Sequence, residues 1–583
     1  MEVTTDIFRI VNVSPSLIQI EVLDFDKFKH ETKDFTIGSY LKISDDNQTS
    51  IIALVQSFKI KDTNNPLNEL GVISPPLFIL DAQPIGFIDD CGNFKRGGQQ
   101  IAIPPSYVEI ADSSVLQKIY NTIATNKQFK FSKLAQDLKI DVAVDGDKFF
   151  SKHVAIVGST GSGKSGTVAK ILQEGIKATD LQEQNSILNN SHVILFDLHG
   201  EYKSAFPCCK HISIDNLILP YWLMNSEELE ELFIESNENN SHNQVSMFKS
   251  AVTQNKKRYN AGLKKINYDV PVYFSIEEVC QFITNHNKST KEAKTGELKI
   301  KDKKNGVLDE FQLFEEIEFE DKANGKINAG PYATEFDRFI LRLETKLNDD
   351  RLNFLLKPRK TNGDEYKTTD LGDIIQQFTG YTTSSECNVT IIDLSGIPFE
   401  VLSIVVSLIS RLIFDFCFHY KGIKADKKEV PFLIVLEEAH NYIPNHDGSK
   451  YNSVKKSIER IAKEGRKYGL SLMIVSQRPS EISETIFSQC NNFVAMRLTN
   501  PTDQNYVKRL LPDNVNALTD TLAVLERQEA LLIGDSLPLP TLVRIDDLNE
   551  HRPSSNDINF RTEWEKDWIA VVFDDLMEKM KKQ

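Results

Sequence analysis

The sequence predicts an α/β protein: a mostly parallel sheet covered by helices on both faces, a small β-rich domain in front of it and a helical insertion within it. Three observations lead there. From about residue 131, continuous apolar strands alternate with longer helical patterns, the texture of a parallel sheet buried on both sides. Before that, short apolar runs are separated at regular spacing by polar or Gly/Pro turns, as in a small barrel or sandwich. Between 215 and 385 the alternation breaks, and apolar residues fall at helical spacing instead.

In chain order, residues 1–130 hold the runs IFRIVNV, LIQIEVL, SYLKIS, SIIALVQSFKI, PLFILDAQPIGFI and QQIAIPP. No catalytic cluster stands out there, so this segment reads as an assembly or docking domain. Residues 131–214 and 386–550 form the sheet, with strands HVAIVG, HVILFDL, VTIIDLSGIP, PFLIVLEE, LSLMIVSQ, NNFVAMRL and EALLIGD. Residues 215–385 form the insertion. There Phe336, Phe339, Ile340, Leu343 and Leu347 share one face of an amphipathic helix. Residues 284–330, polar and rich in Lys, Glu and Asn, are expected to include a mobile loop. Residues 551–583 read as a helical tail.

Composition narrows the function classes. The 583 residues carry 68 Lys plus Arg and 83 Asp plus Glu, a formal charge of −15. That argues against a protein coating nucleic acid over its whole surface, while leaving room for a local basic channel. Seven cysteines without a C-x-x-C pair argue against a disulfide framework or zinc site and for a reducing, cytoplasmic setting. The N-terminus lacks the basic-then-apolar order of a signal peptide. The longest greasy stretch, 401–418, contains Arg411 and Asp415, which suits a buried helix better than a membrane span.

The sharpest chemical signal is Gly158-Ser159-Thr160-Gly161-Ser162-Gly163-Lys164-Ser165. It fits G-x-x-x-x-G-K-[ST], follows an apolar strand and opens a helix, the context a phosphate-binding loop requires. Backbone N–H groups from Gly158 to Gly166 would face the phosphates of ATP, Lys164 would reach the β- and γ-phosphates, and Ser165 would ligate Mg²⁺. Downstream, the strand Phe432–Leu436 ends in Glu437 and Glu438. Glu437 would hold the magnesium through water, and Glu438 would orient and activate the attacking water. The alternative is a pair of solvated glutamates at a strand end.

Another strand ends at Ser476-Gln477, where Gln477 is placed to sense the γ-phosphate. Asp197, His199 and Glu201 follow a further strand; they serve either ligand or merely the turn that carries them. In the basic segment 460–469, Arg466 is the first candidate, and Arg460 the second, for a cation delivered from a neighbouring subunit to the developing phosphoryl charge. Such an arginine has a use only at a head-to-tail interface. For DNA contact the candidates are Lys256, Lys257 and Arg258, and Lys450, Lys455 and Lys456, in two basic stretches that are otherwise simply solvated faces.

Taken together, GSTGSGKS, DLHGEY, VTIIDLSGIP, VLEEAHNYIP, EGRKYG, SQRPS and the run EALLIGDSLPLPTLVRI, behind a β-rich domain, resemble the HerA-type ATPases of the HerA/FtsK branch of RecA-like motors. The resemblance implies a RecA-like P-loop sheet, an N-terminal HAS barrel and a helical-bundle insertion. It also implies a homohexameric ring that uses ATP and Mg²⁺ to move double-stranded DNA through its channel. By position, Lys164 and Ser165 match the family's phosphate loop, Glu438 its catalytic glutamate, Gln477 its sensor and Arg466 its trans-acting arginine segment. Lys152 occupies a place where relatives carry a nucleotide-contacting arginine. Glu437 stands where many such motors have Asp.

Two functions of different class follow. One is an ATP-driven DNA translocase or helicase, working with a nuclease or a sirtuin-like NAD-consuming effector in DNA processing or antiviral defence. The other is an ATP-regulated scaffold ring that assembles and gates such an effector through the barrel. A small-molecule kinase is a weaker third reading, since no acceptor site is evident.

Overall fold

The computed structural model describes residues 7–31, 35–44, 50–61, 77–97, 107–176, 190–235, 241–301, 311–381, 387–423, 429–445, 452–510, 516–548, 550–554 and 558–582. The N-terminal part is a seven-stranded antiparallel sheet. Its strands are β1 (Phe8–Val13), β2 (Ile18–Val22), β3 (Tyr40–Ser44), β4 (Ser50–Lys61), β5 (Leu77–Ile88), β6 (Phe94–Arg96) and β7 (Tyr107–Ile110), in the order β1-β2-β5-β4-β3-β7, with β6 on β5. Among the described residues the end strands β1 and β7 do not pair, so the expected barrel is a curled half-barrel. Register shifts in β4 at Ile52/Ala53 and Val55/Ser57 supply bends.

The run Ile51–Val55 is apolar throughout because both faces of the sheet are covered. Ile51, Ala53 and Val55 join a core with Ile18, Ile20, Leu41 and Leu80, under helix α1 (Phe25–Glu31). Ile52 and Leu54, one pleat over, join the main core through helix α2 (Ser113–Tyr120). Hydrogen bonds from Tyr40 to the Pro540 carbonyl, 3.3 Å, and between Tyr120 and Thr541, 3.1 Å, fasten the half-barrel side to the large sheet.

That sheet has eleven strands: β8 (Gln128–Leu134), β9 (Asp137–Asp145), β10 (Val154–Val157), β11 (His192–Asp197), β12 (Lys210–Ile212), β15 (Val389–Asp393), β16 (Phe432–Leu436), β17 (Leu470–Ser476), β18 (Asn492–Met496), β19 (Glu529–Gly534) and β20 (Thr541–Ile545). Their order is β12-β15-β11-β16-β17-β10-β18-β19-β20-β8-β9. The run from β12 to β18 is parallel, and β19, β20, β8 and β9 continue it antiparallel. So the strand EALLIGD, expected in the parallel alternation, runs the other way. The sheet also begins at Gln128, slightly before the expected boundary.

Helices α3 (Gly146–Ser151), α4 (Lys164–Ile176), α11 (Phe399–Ile423) and α12 (Asn452–Glu464) belong to this layer. Helix α11 is long and apolar enough to cross a membrane, yet its apolar window is 78% buried inside the fold. It is a core helix, and its Arg411 is answered there. The guanidinium meets the fully buried Glu228 carboxylate at 2.7 and 3.1 Å.

The insertion, between β12 and β15, contains α5 (Ser226–Phe233), α6 (Ser241–Tyr259), α7 (Ile276–Lys288), α8 (Asp337–Leu347), α9 (Asn353–Leu356) and α10 (Leu371–Thr379), with a short ribbon of β13 (Thr290–Glu292) and β14 (Ile327–Ala329). The expected helix at 336–347 is α8, with Phe339, Ile340, Leu343 and Leu347 inward. Within 284–330, where a mobile loop is expected, the described residues are in large part built structure, and 302–310 lie outside them. Buried Asn285 donates to the Leu313 and Glu315 carbonyls, and buried Asn287 donates to Asp337 and accepts from the Phe336 N–H. Polar composition misled because these amides are saturated internally. The tail holds two short helices, Phe560–Trp564 and Phe573–Lys582, both on the surface.

Candidate nucleotide site

Strand β10 is fully buried, so the chain must leave the sheet sharply where polar residues resume. It does so through Gly158–Gly163 and turns directly into α4 at Lys164. Gly163 sits at φ +103°, a conformation glycine adopts without a Cβ clash. At Gly158 a Cβ would lie 2.6 Å from Ser162 Oγ and 2.9 Å from Met496 Cβ. The loop is pinned from below: Gly158 N–H donates to the Ser476 carbonyl, Ser159 N–H to that of Arg497, and Gln528 N–H to that of Ser162.

Registers of the parallel strands bring four strand ends to one edge. Val157 of β10 lies beside Ser476 of β17, and Leu436 of β16 lies beside Phe196 of β11. A cavity of about 420 Å³ opens there, lined by Thr160, Gly161, Gly163–Thr167, Glu201, Glu437, Glu438 and Gln477. Among the loop residues expected to bind nucleotide, Gly158, Ser159 and Ser162 do not line it. Ser159 Oγ instead bonds Thr499, and Ser162 lies buried under the loop.

Lys164 is 9% exposed, and its Nζ donates to the Ser159 carbonyl at 3.4 Å. Burial lowers its pKa, while Glu438, Glu437 and Glu201 pull it back up. Glu437 is 4% exposed, and its carboxyl is pushed well above the usual range by burial and then by Asp197, Glu201 and Glu438. Neither Glu437 Oε2 nor Glu438 Oε2 has a hydrogen-bond partner among the described residues. The buried Tyr202 hydroxyl faces Ser165 and Glu437 without completing a hydrogen bond among the described residues. Unsatisfied buried carboxylate oxygens beside a lysine and a ring of backbone N–H groups fit a hydrated cation carried by a phosphate chain. No group of three or more His, Cys, Asp or Glu among the described residues could hold a metal alone. The donor set therefore suits Mg²⁺ held largely by phosphate and water.

Gln477 accepts a hydrogen bond from Thr160 Oγ1 at 2.5 Å, so the end of β17 already touches the phosphate loop. Asp197 acts on the backbone instead, its carboxylate accepting the N–H groups of His199, Glu201 and Tyr202. It builds the turn that places Glu201 and Tyr202. His199 and Glu201 line the cavity.

Several sequence candidates go elsewhere. Lys152 is at the far end of β10 and pairs with Asp535 at 2.7 Å, so it does not contact the phosphate loop of its own chain. Arg460 stacks on Phe414, 4.3 Å from the ring centre, with Asp415 beside it at 3.9 Å. Arg466 is exposed in the turn before β17. The seven residues of β17 separate that turn from the cavity, about 20 Å at strand rise.

Lys256 is fully buried, donates to the Tyr268 and Val270 carbonyls and is pushed down to about 7 by burial, so it is no DNA contact. Arg258 is engaged by Glu278 and Glu315, and Lys456 by Glu227. Lys257 is exposed, Lys455 half-buried, and Lys450 lies outside the described residues.

Sequence reasoning missed Tyr202 and His440, though both sit inside the motifs DLHGEY and VLEEAHNYIP. It also missed Arg527, Gln528 and residues 545–548 and 552–554, which close the cavity from the C-terminal side. Ser554 N–H donates to the Glu201 carbonyl, and Gln173 donates to that of His551. No motif announces these residues. A larger, mainly apolar cavity of about 670 Å³ lies at the opposite sheet edge. It is bounded by Ile176 and Asn190, which flank a stretch outside the described residues, and it is remote from this chemistry.

Residues 129–413 match the family model for the central domain of the helicase HerA. A probable helicase of Methanocaldococcus jannaschii is 27% identical over 555 residues, covering 91% of this chain and 90% of that protein. The DNA double-strand break repair helicase HerA of Sulfolobus acidocaldarius is 26% identical over 424 residues, 71% of this chain and 69% of that one. Among solved structures, VirB4 of Thermoanaerobacter pseudethanolicus superposes with a TM-score of 0.46 at 14% identity, over 74% of this chain and 99% of that chain.

Proposed function

We propose, from the premise that this chain is a HerA-type P-loop ATPase, that it hydrolyses ATP to drive movement on double-stranded DNA as a hexameric ring. One observation carries the hydrolytic part: Lys164, Glu437, Glu438 and Gln477, from three separate strand ends, converge on one cavity behind a glycine loop. The loop N–H groups and the start of α4 bind the phosphates. Lys164 sits against the β- and γ-phosphates. Ser165 and Glu437 would hold Mg²⁺, which would neutralise charge on the phosphate oxygens. Glu438 orients the attacking water and takes its proton. Gln477, already in touch with Thr160, registers the γ-phosphate.

Arg527 and Arg552 of the same chain line the cavity, and a further positive charge at the γ-phosphate would come from a neighbouring copy. Arg466 is exposed and too far from its own cavity to serve there, which suits delivery to a neighbour. DNA contact through backbone phosphate predicts low sequence specificity and steep salt dependence. The end strands β1 and β7 of the half-barrel, not hydrogen-bonded to each other among the described residues, offer a docking surface to a partner. A nuclease or a sirtuin-like NAD hydrolase would fit the role, in repair or antiviral defence. The same edge favours the second reading, a scaffold ring that gates the effector with ATP as regulator. The seven free thiols suit a reducing, cytoplasmic setting.

The test is ATP turnover and DNA movement by the full chain beside Lys164→Ala and Glu438→Gln. Both variants should lose at least about 100-fold in kcat, and Glu438→Gln should still bind ATP. Undiminished turnover in both overturns the motor; lost movement with intact effector assembly and full biological activity favours the scaffold.

A further inference from the structure

The two strand ends that carry the water-activating carboxylate and the phosphate sensor are joined by a residue so far without a role. After Glu438 the chain makes one short helical turn, Ala439–Asn441, which brings His440 back toward β17. Glu438 itself adopts φ +44°, a left-handed conformation that a non-glycine residue holds only under constraint. The His440 and Glu438 side chains are each 10% exposed. His440 Nδ1 lies 3.4 Å from Glu438 Oε2 and 3.2 Å from Ser476 Oγ. Ser476 is tied on its other sides: its hydroxyl accepts the Arg478 N–H at 3.0 Å, and its carbonyl accepts the Gly158 N–H at 3.2 Å. The next residue is Gln477, whose amide oxygen meets Thr160 of the phosphate loop.

We propose that His440 is a positioning residue for ATP hydrolysis: its Nδ1 steers the Glu438 carboxylate and couples it to the Ser476–Gln477 strand end. This rests on the ATPase reading above. One ring nitrogen faces two oxygens and cannot make a full, linear hydrogen bond to both. In the chain as it stands the contact with Ser476 is the shorter. Among the described residues the Glu438 oxygen lacks a completed hydrogen bond. A small shift of the β17 end therefore hands the nitrogen from Ser476 to Glu438. Movement of Gln477 at the γ-phosphate is such a shift. The carboxylate is then fixed against the water when the sensor is engaged and left loose when it is not.

The experiment compares the full chain with His440→Ala and His440→Asn. The Asn side-chain amide places a donor near the position of Nδ1. Steady-state turnover, equilibrium binding of a fluorescent ATP analogue and the thermal midpoint are measured for each. His440→Ala should lower kcat about 10- to 100-fold, with KM and analogue affinity within about twofold. His440→Asn should recover most of that loss at an unchanged thermal midpoint. Turnover of His440→Ala within twofold of the parent overturns the proposal. So does an equal loss in both variants, since a ring needed only for packing gains nothing from Asn. If the parent chain itself shows no ATP turnover, the ATPase reading fails first. Normal parent turnover with an indifferent His440 sinks this proposal alone.

Discussion

At the scale of single residues, the structure separates side chains of one type by what they touch. His153 illustrates it. It stands at φ +50° immediately before the phosphate-loop strand, 1% exposed. Its Nδ1 accepts the Leu472 N–H at 3.0 Å, and its Nε2 lies 3.0 Å from the Ala462 carbonyl. The pair of contacts fixes the neutral ring with the proton on Nε2. Burial pushes its pKa down to about 4, and Arg466 adds to the shift. A folded value below the unfolded one, about 6.5, means the unfolded chain binds the extra proton. The stabilisation is then complete above about pH 6.5 and disappears as pH falls through about 4, with a span of about 3 kcal/mol. Thermal midpoints of the parent and His153→Gln between pH 4 and 7.5 should diverge in that window. Parallel curves would refute the assignment. Of the basic residues, Lys164 was legible because its motif dictates its surroundings. Lys256 was not: its acceptors, Tyr268 and Val270, come from a turn that periodicity does not reveal.

At the scale of elements, runs of apolar residues located the strands and α8 well, since burial on one or both faces leaves a local pattern. Direction leaves none. EALLIGD reads like its parallel neighbours, yet β19 is antiparallel to β18, because the long helical connection between them rather than the strand itself sets its sense. Partners across the chain are equally silent. Arg411 in α11 looked like a mark against a membrane span, but its carboxylate, Glu228, is 183 residues away and fully buried. Ser407 and the Asn225 N–H complete that carboxylate's hydrogen bonds. This pair ties the insertion to the sheet layer through α5 and α11. Arg411→Ala leaves Glu228 buried and uncompensated and should cost about 3–5 kcal/mol. Replacing both with Met should recover much of that. Chemical denaturation of the three chains checks it: equal stability of the single and double variants would mean that the bare charge is not what destabilises.

At the scale of the whole molecule, the cavity and Arg466 lie at opposite ends of β17, about 20 Å apart at strand rise. Arg466 is exposed, whereas Arg460 is spent on Phe414 and Asp415 within the chain. A molecule with the cradle on one edge and an exposed guanidinium on the other is suited to head-to-tail assembly, each copy completing the next. The consequence is complementation between two dead chains. Lys164→Ala has no working cradle but keeps Arg466, and Arg466→Ala has the cradle but no cation to give. Each alone should lose about 10³-fold or more in turnover. Mixed in equal amounts under conditions of subunit exchange, about one interface in four pairs an intact cradle with an intact arginine. Turnover should then return to at most about a quarter of the parent value. The return should vanish when the chains are combined without exchange, and dilution should weaken it if the copies dissociate. An Arg466→Ala chain that turns over ATP normally, or co-assembled chains that recover nothing, would remove Arg466 from the shared site. Recovery can arise only if one copy reaches into the other's cavity, because neither chain regains a lost side chain by folding alone.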